Sequence, residues 1–131
     1  MANRTTLECG NFGENEACKF LTSNGYKIVS RNYRYSHYEI DIIAEDSESL
    51  VFVEVKSRTV DADGYNPYGR PARFVDTAKQ KRLISAAFAY LRAHPSKKRA
   101  RLDIIEVYLQ RSENNTLKVS KIHHIRNAFG R

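Results

Sequence analysis

Hydrophobic and polar positions alternate with two different periods along this chain, and the switches between them mark its elements. From about Thr6 to Asn24, Ala17, Cys18 and Leu21 recur at helical spacing, and Gly25 suits the left-handed position just past a helix end. Glu14 precedes that stripe by three, four and seven positions, which aims its carboxylate along the buried side. The competing reading is an acid near a helix start, favoured by the dipole and reaching solvent. Gly10 and Gly13 cost helix stability and imply either an irregular first turn or close approach to a neighbouring strand.

A strand pattern follows from Tyr26 to Tyr35, with Lys27, Arg31 and Arg34 interleaved among aromatic and aliphatic residues. Glu39–Ala44 alternates acid and aliphatic, and Leu50–Lys56 is a β-branched run broken by Glu54 and Lys56. The polar turn Asp46-Ser47-Glu48-Ser49 joins them into a hairpin. A long segment from Ser57 to about Arg73 carries Gly64, Pro67, Gly69 and Pro71 with Arg58, Arg70, Tyr65 and Tyr68. A loop of that length is functional or mobile, and its basic and aromatic content suits phosphates and bases.

A second helix is predicted from about Asp76 to Ala93, on the spacing of Gln80, Leu83, Ile84, Ala87, Phe88 and Leu91. Gln80 has two readings: contact with a site at the helix start, or a capping box with Thr77. Arg101–Leu109 reads as a fourth strand and Thr116–Ile122 as a weaker fifth. The order is α, β, β, β, α, β and a further β, without repeats or linkers, so one domain over residues 1–131 is expected.

Charge changes the picture. With 22 Lys and Arg against 15 Asp and Glu, the chain carries a net +7, which makes polyanions plausible partners. No apolar run approaches the roughly 20 residues of a membrane span, and the N-terminal stretch lacks a signal-peptide core, so a cytoplasmic location is expected. Cys9 and Cys18 have no metal-finger spacing and read as reduced thiols. The four histidines show no ligand spacing, and His123 and His124 should face opposite sides of their strand.

The candidate chemistry sits in the hairpin. If Glu45 faces Leu50, the antiparallel register sets Asp41 opposite Glu54 and Glu39 opposite Lys56, all on one face. Facing Cβ atoms lie about 4.5–5.5 Å apart, so two carboxylates there repel unless a cation, a proton or strong donors compensate them. A divalent metal meets that need. The plainer reading is a solvated face with an ordinary Glu39–Lys56 ion pair.

Gly13-Glu14 with Ala17, Gly25-Tyr26, Arg31-Asn32-Tyr33-Arg34, Glu39-Ile40-Asp41, the run Val51 to Arg58, Lys79, Arg101 with Asp103, and Asn127-Ala128-Phe129 together resemble the YraN family of bacterial proteins. That family resembles archaeal Holliday-junction resolvases. The resemblance implies an α/β, restriction-endonuclease-like PD-(D/E)xK core of αβββαβ order, a mixed central sheet flanked by helices. Asp41, twelve intervening residues and Glu54-Val55-Lys56 match its motif. It further implies Glu14 as the helix acid, Asp41 and Glu54 as ligands of Mg²⁺ or Mn²⁺, and Lys56 as the catalytic lysine, with Glu39 as an accessory; Gln80 is a further accessory candidate from its helical position alone. Arg31, Arg34, Arg58, Arg70 and Lys79 are the candidate nucleic-acid contacts. The implied activity is metal-dependent hydrolysis of DNA, including branched or structured DNA; the alternative is a non-catalytic nucleic-acid-binding protein on the same scaffold. A homodimer follows only by analogy with resolvases. The sequence departs from the family at Tyr38, where a glycine is usual, and in a longer Arg58–Arg70 loop.

Overall fold

A computed structural model describes residues 3–60 and 77–128, with side chains described from residue 11 onward. Helix α1 (Asn3–Ser23) is followed by strands β1 (Lys27–Tyr35), β2 (Tyr38–Glu45) and β3 (Ser49–Thr59), helix α2 (Thr77–Ala93), and strands β4 (Arg99–Arg111) and β5 (Leu117–Ile125). The strands form one sheet in the order β1-β2-β3-β4-β5. Only β3 and β4 run parallel, and the helix α2 lies between them in sequence, the long crossover that parallel neighbours require. The protein is therefore an α/β fold with a mixed five-stranded sheet flanked by helices, in the expected αβββαβ order with β5 added at an edge.

α1 ends as its sequence predicts. Gly25 has φ of 88°, Tyr26 N–H donates to the Leu21 carbonyl at 3.0 Å, and Gly25 N–H donates to that of Thr22 at 3.3 Å. This paired capping pattern satisfies carbonyls that would otherwise be orphaned, and Leu21 and Tyr26 both enter the core beside it. The β2–β3 turn also forms as expected: Asp46 Oδ1 accepts from the Glu48 and Ser49 amides, and Glu45 faces Leu50.

Two cores lie on opposite faces of the sheet. On the α1 face, Ala17 and Leu21 pack against Ile42, Ala44, Val51, Val53, Ile105 and Val107. On the α2 face, Leu83, Ala86, Ala87 and Tyr90 cover Ile40, Ile43, Leu50 and Phe52. Each of these large side chains contributes about 1.5–3 kcal/mol by leaving water. β3 is buried on both faces from Ser49 to Glu54 because both helices lie over it.

Of the two readings of Gly13, close approach is the one observed. A Cβ built there would stand 1.9 Å from Ser57 Oγ and 3.1 Å from Ser57 Cβ. Gly13→Ala should therefore destabilise the fold by about 1–3 kcal/mol through overpacking, against the ~1 kcal/mol by which alanine favours a helix. Thermal melting checks this, and Ser57→Gly in the same chain should restore the loss.

Candidate functional site

The site lies where the sheet forks. β2 stays paired with β1 as far as Tyr35↔Tyr38, and β3 stays paired with β4 as far as Thr59↔Leu109. Between β2 and β3, however, the ladder ends at Ile42↔Val53. The side-chain alternation of β2 breaks at the same place, since Ile40 and Ile43 face α2 whereas Ile42 faces α1. The β1 register sets Asn32 opposite Asp41, and Asn32 has φ of 53°, a left-handed residue within a strand.

Asp41 fills the opening. Its Oδ2 accepts the Val55 N–H at 2.8 Å, so a carboxylate replaces the carbonyl that a continuing ladder would have supplied. Burial first, and the nearby Glu54 second, push the Asp41 carboxyl up from 3.8 to about 7, with Glu14 adding to the effect. Glu54 is 6% exposed. Its Oε1 accepts the Tyr38 hydroxyl at 2.9 Å, and its Oε2 lies 2.6 Å from Lys79 Nζ and 4.0 Å from Lys56 Nζ. Burial and then the adjacent Lys79 hold the Lys56 amine below its usual range. Burial also pulls Lys79 down, but Glu54 and Asp41 outweigh it, and its amine sits above the usual range. Tyr38 is kept protonated by burial and by Glu54.

A carboxyl whose folded pKa exceeds its ordinary value is a charging cost. It is absent below 3.8, grows between 3.8 and about 7, and is complete above. In chelator, the melting temperature should fall as pH rises from 4 to about 7.5, and Asp41→Asn should flatten that fall.

Glu14 lies among these groups, with Oε1 accepting from Arg31 Nη2 at 3.1 Å and its side chain 16% exposed. The expected opposition of Glu39 and Lys56 is not formed. The strands have separated before reaching it, and Glu39 Oε2 pairs instead with Arg34 Nη2 at 3.0 Å. Several predicted nucleic-acid contacts are likewise engaged within the protein: Arg31 with Glu14, Arg34 with Glu39, Arg58 with Glu106, and Lys79 with Glu54. Arg70 and most of the predicted 57–73 loop lie outside the described residues, as does the Cys9 side chain. Gln80 is half-buried in the first turn of α2, adjacent in sequence to Lys79. Tyr38, which stands where a glycine is usual in the family, donates to the central acid.

Glu106 was not among the sequence candidates. It is 2% exposed, stands beside Lys56 in the parallel β3–β4 register, and binds Arg58 Nε at 3.3 Å and His123 Nδ1 at 3.1 Å. As the strand alternation requires, His124 points the other way, its Nε2 2.7 Å from Asp103.

Asp41 and Glu54 supply hard oxygen donors. Among the described residues no three His, Cys, Asp or Glu side chains converge to cage a metal. That donor set suits Mg²⁺, which keeps waters and takes one or two carboxylates plus substrate phosphate; it does not suit zinc.

An α/β fold with paired acids and lysines at a sheet fork is the class these features define. The chain belongs to the Uncharacterised protein family UPF0102, the YraN family, whose family model matches residues 13–107. It is 42% identical over 123 residues to a UPF0102 protein of Chlorobium phaeobacteroides, covering 93% of this chain and 94% of that one. A Kosmotoga olearia UPF0102 protein is 46% identical over 114 residues, covering 86% and 92%. One from Caldanaerobacter subterraneus is 40% identical over 128 residues, covering 97% of each. Among solved structures, Pyrococcus furiosus SfsA in complex with Ca²⁺ overlaps with TM-score 0.47 and 17% identity, over 90% of this chain and 63% of that chain, less than two thirds of its length. No helix of the described residues is long and apolar enough to cross a membrane.

Proposed function

We propose that this protein is a metal-dependent endonuclease that hydrolyses phosphodiester bonds in DNA, including branched or structured DNA. The observation that carries the reading is Asp41: a half-buried carboxyl next to the buried Glu54, at a cost to the fold, with two lysine amines beside that second acid. Costly acids of this kind concentrate where chemistry is done. Asp41, Glu54 and the Val55 carbonyl would hold Mg²⁺ or Mn²⁺. Bound there, such a cation would activate a water and offset charge on the reacting phosphate.

The protein's own groups have separable tasks. Tyr38 fixes the Glu54 carboxylate by donating to Oε1. Arg31 holds Glu14, which adds to the upward push that burial first and Glu54 second exert on the Asp41 carboxyl. Lys56, a compact amine with its proton loosened by burial, orients the attacking water or meets the scissile phosphate. Lys79 neutralises Glu54 and would be freed for phosphate once a metal took that carboxylate.

A second reading rests on the same Lys79 contact. Its amine, 2.6 Å from Oε2, already compensates Glu54, as it would in a non-catalytic nucleic-acid-binding protein on this scaffold. The test is incubation with linear duplex, single-stranded, flap and four-way-junction DNA, and with RNA, under Mg²⁺ or Mn²⁺. Native protein should cleave DNA, and Glu54→Ala and Lys56→Ala should each lose about a hundredfold or more. Salt-sensitive binding without metal-dependent cleavage would establish the scaffold reading instead.

A further inference from the structure

Beside the acid cluster, between the tip of the β1–β2 hairpin and α2, lies a groove of about 280 Å³ lined by Tyr35, His37, Tyr38, Lys81, Arg82 and Ser85. Tyr38 borders both groove and fork, since it lines the one and its hydroxyl donates to Glu54 in the other. Its cations differ from those of the fork. Lys79 and Arg31 are spent on Glu54 and Glu14, whereas among the described residues Lys81 and Arg82 have no acidic partner within ion-pair distance. Both are exposed, and Tyr35 keeps 38% of its surface in solvent at the rim.

We propose that this groove holds an unpaired nucleotide of a DNA strand, its base stacked on Tyr35 and its phosphates against Lys81 and Arg82. The inference rests on the nucleic-acid reading above and adds the form of the substrate. Size and chemistry both exclude a duplex as occupant. The volume falls at the lower edge of the ~300–1,000 Å³ typical of small-ligand sites, so the groove admits one nucleotide and not a helix. An aromatic face captures only a base whose own face is uncovered, while exposed cations on one wall supply backbone contacts that tolerate any sequence. Because Tyr38 borders both, a strand with one nucleotide in the groove runs on next to the acid cluster. Flaps, junction arms and single-stranded ends meet that requirement, and blunt duplex does not.

The test is made in chelator, so that binding is read without cleavage. Fluorescence anisotropy compares a single strand, a flapped duplex and a blunt duplex, each carrying 2-aminopurine, whose emission drops on stacking. Native protein should bind the first two at least about tenfold tighter than the blunt duplex, with quenching. Tyr35→Ala should lose about five- to hundredfold in affinity together with the quenching, Tyr35→Phe should keep both, and Lys81→Ala/Arg82→Ala should flatten the salt dependence. All three substituted residues are exposed, and a melting scan of each variant confirms that it is folded. Equal affinity for blunt duplex, unchanged quenching in Tyr35→Ala, or tighter binding of the ribo-oligomer of the same sequence would overturn the proposal. Failure of the endonuclease reading would show only as absent cleavage in metal, with this binding pattern intact.

Discussion

Asp41→Asn is expected to make the metal-free protein more stable while removing metal capture and DNA cleavage together. The asparagine carbonyl can still accept from Val55 N–H, so the hydrogen bond that Asp41 makes to β3 survives the change. What disappears is a half-buried negative charge close to Glu54. Each tenfold in proton affinity is worth about 1.4 kcal/mol. A carboxyl lifted from 3.8 to about 7 therefore costs on the order of a few kcal/mol once ionised, and the variant should melt several degrees higher at pH 8 in chelator. The functional loss is larger: a metal ligand secures several kcal/mol of transition-state stabilisation, so cleavage should fall about a thousandfold or more. Calorimetric Mn²⁺ titration and single-turnover cleavage would follow it. A variant that melts lower and still cuts would mean that Asp41 is a structural acid.

The hairpin carrying this residue was legible because its register was set locally. Asp46 supplies the turn geometry, and the four-residue turn sets Glu45 opposite Leu50, which fixes the pairing. The fork was not legible. In sequence Glu39 and Lys56 continue the alternation as though the strands stayed paired, and what separates them is non-local. β2 follows β1 past the left-handed Asn32, while β3 follows its parallel neighbour β4.

For the same reason the basic residues were counted but not placed. Charge at Arg31, Arg34, Arg58 and Lys79 is visible in the sequence, but the acid each one meets lies on another element. Glu106 did leave a signal, as an acid in the middle of the apolar run from Ile104 to Val107. Its significance depended on knowing that α2 carries the chain across so that β4 lies beside β3. His124, set aside for want of ligand spacing, acquires its partner through the β4–β5 pairing.

Asp103→Ala should produce the opposite pattern from Asp41→Asn, although both begin as acids set in the sheet. Asp103 is fully buried, accepts from Arg101 Nε at 2.9 Å and Nη2 at 2.9 Å, lies 2.7 Å from His124 Nε2, and accepts the Asn127 N–H at 2.9 Å. Arg101 also donates to the Tyr26 hydroxyl, tying α1's exit to β4. Burial alone would raise the Asp103 carboxyl, but the bonds from His124, Arg101 and Asn127 outweigh it and hold it below 3.8. A depressed carboxyl adds stability that is fully present above its ordinary value and lost as pH falls through its lower folded value, so this acid favours the fold at neutral pH. Truncating it strands a guanidinium that is 15% exposed and a histidine that is 8% exposed. The cost should be about 3–5 kcal/mol, a drop of about 10 °C or more in melting temperature. Faster amide exchange should appear at Asn127 and at Ala128, whose N–H donates to Leu102 in the same tether. Cleavage per folded molecule should be unchanged, because Glu54 and the two lysines beside it lie on the α2 face and none of them bonds to Asp103. The compensation each acid receives from the protein itself separates the two roles: Asp103 has a guanidinium, an imidazole and an amide, whereas Asp41 has one backbone N–H and the charge of Lys79 set against burial and a second carboxylate, a deficit that the proposed metal would fill.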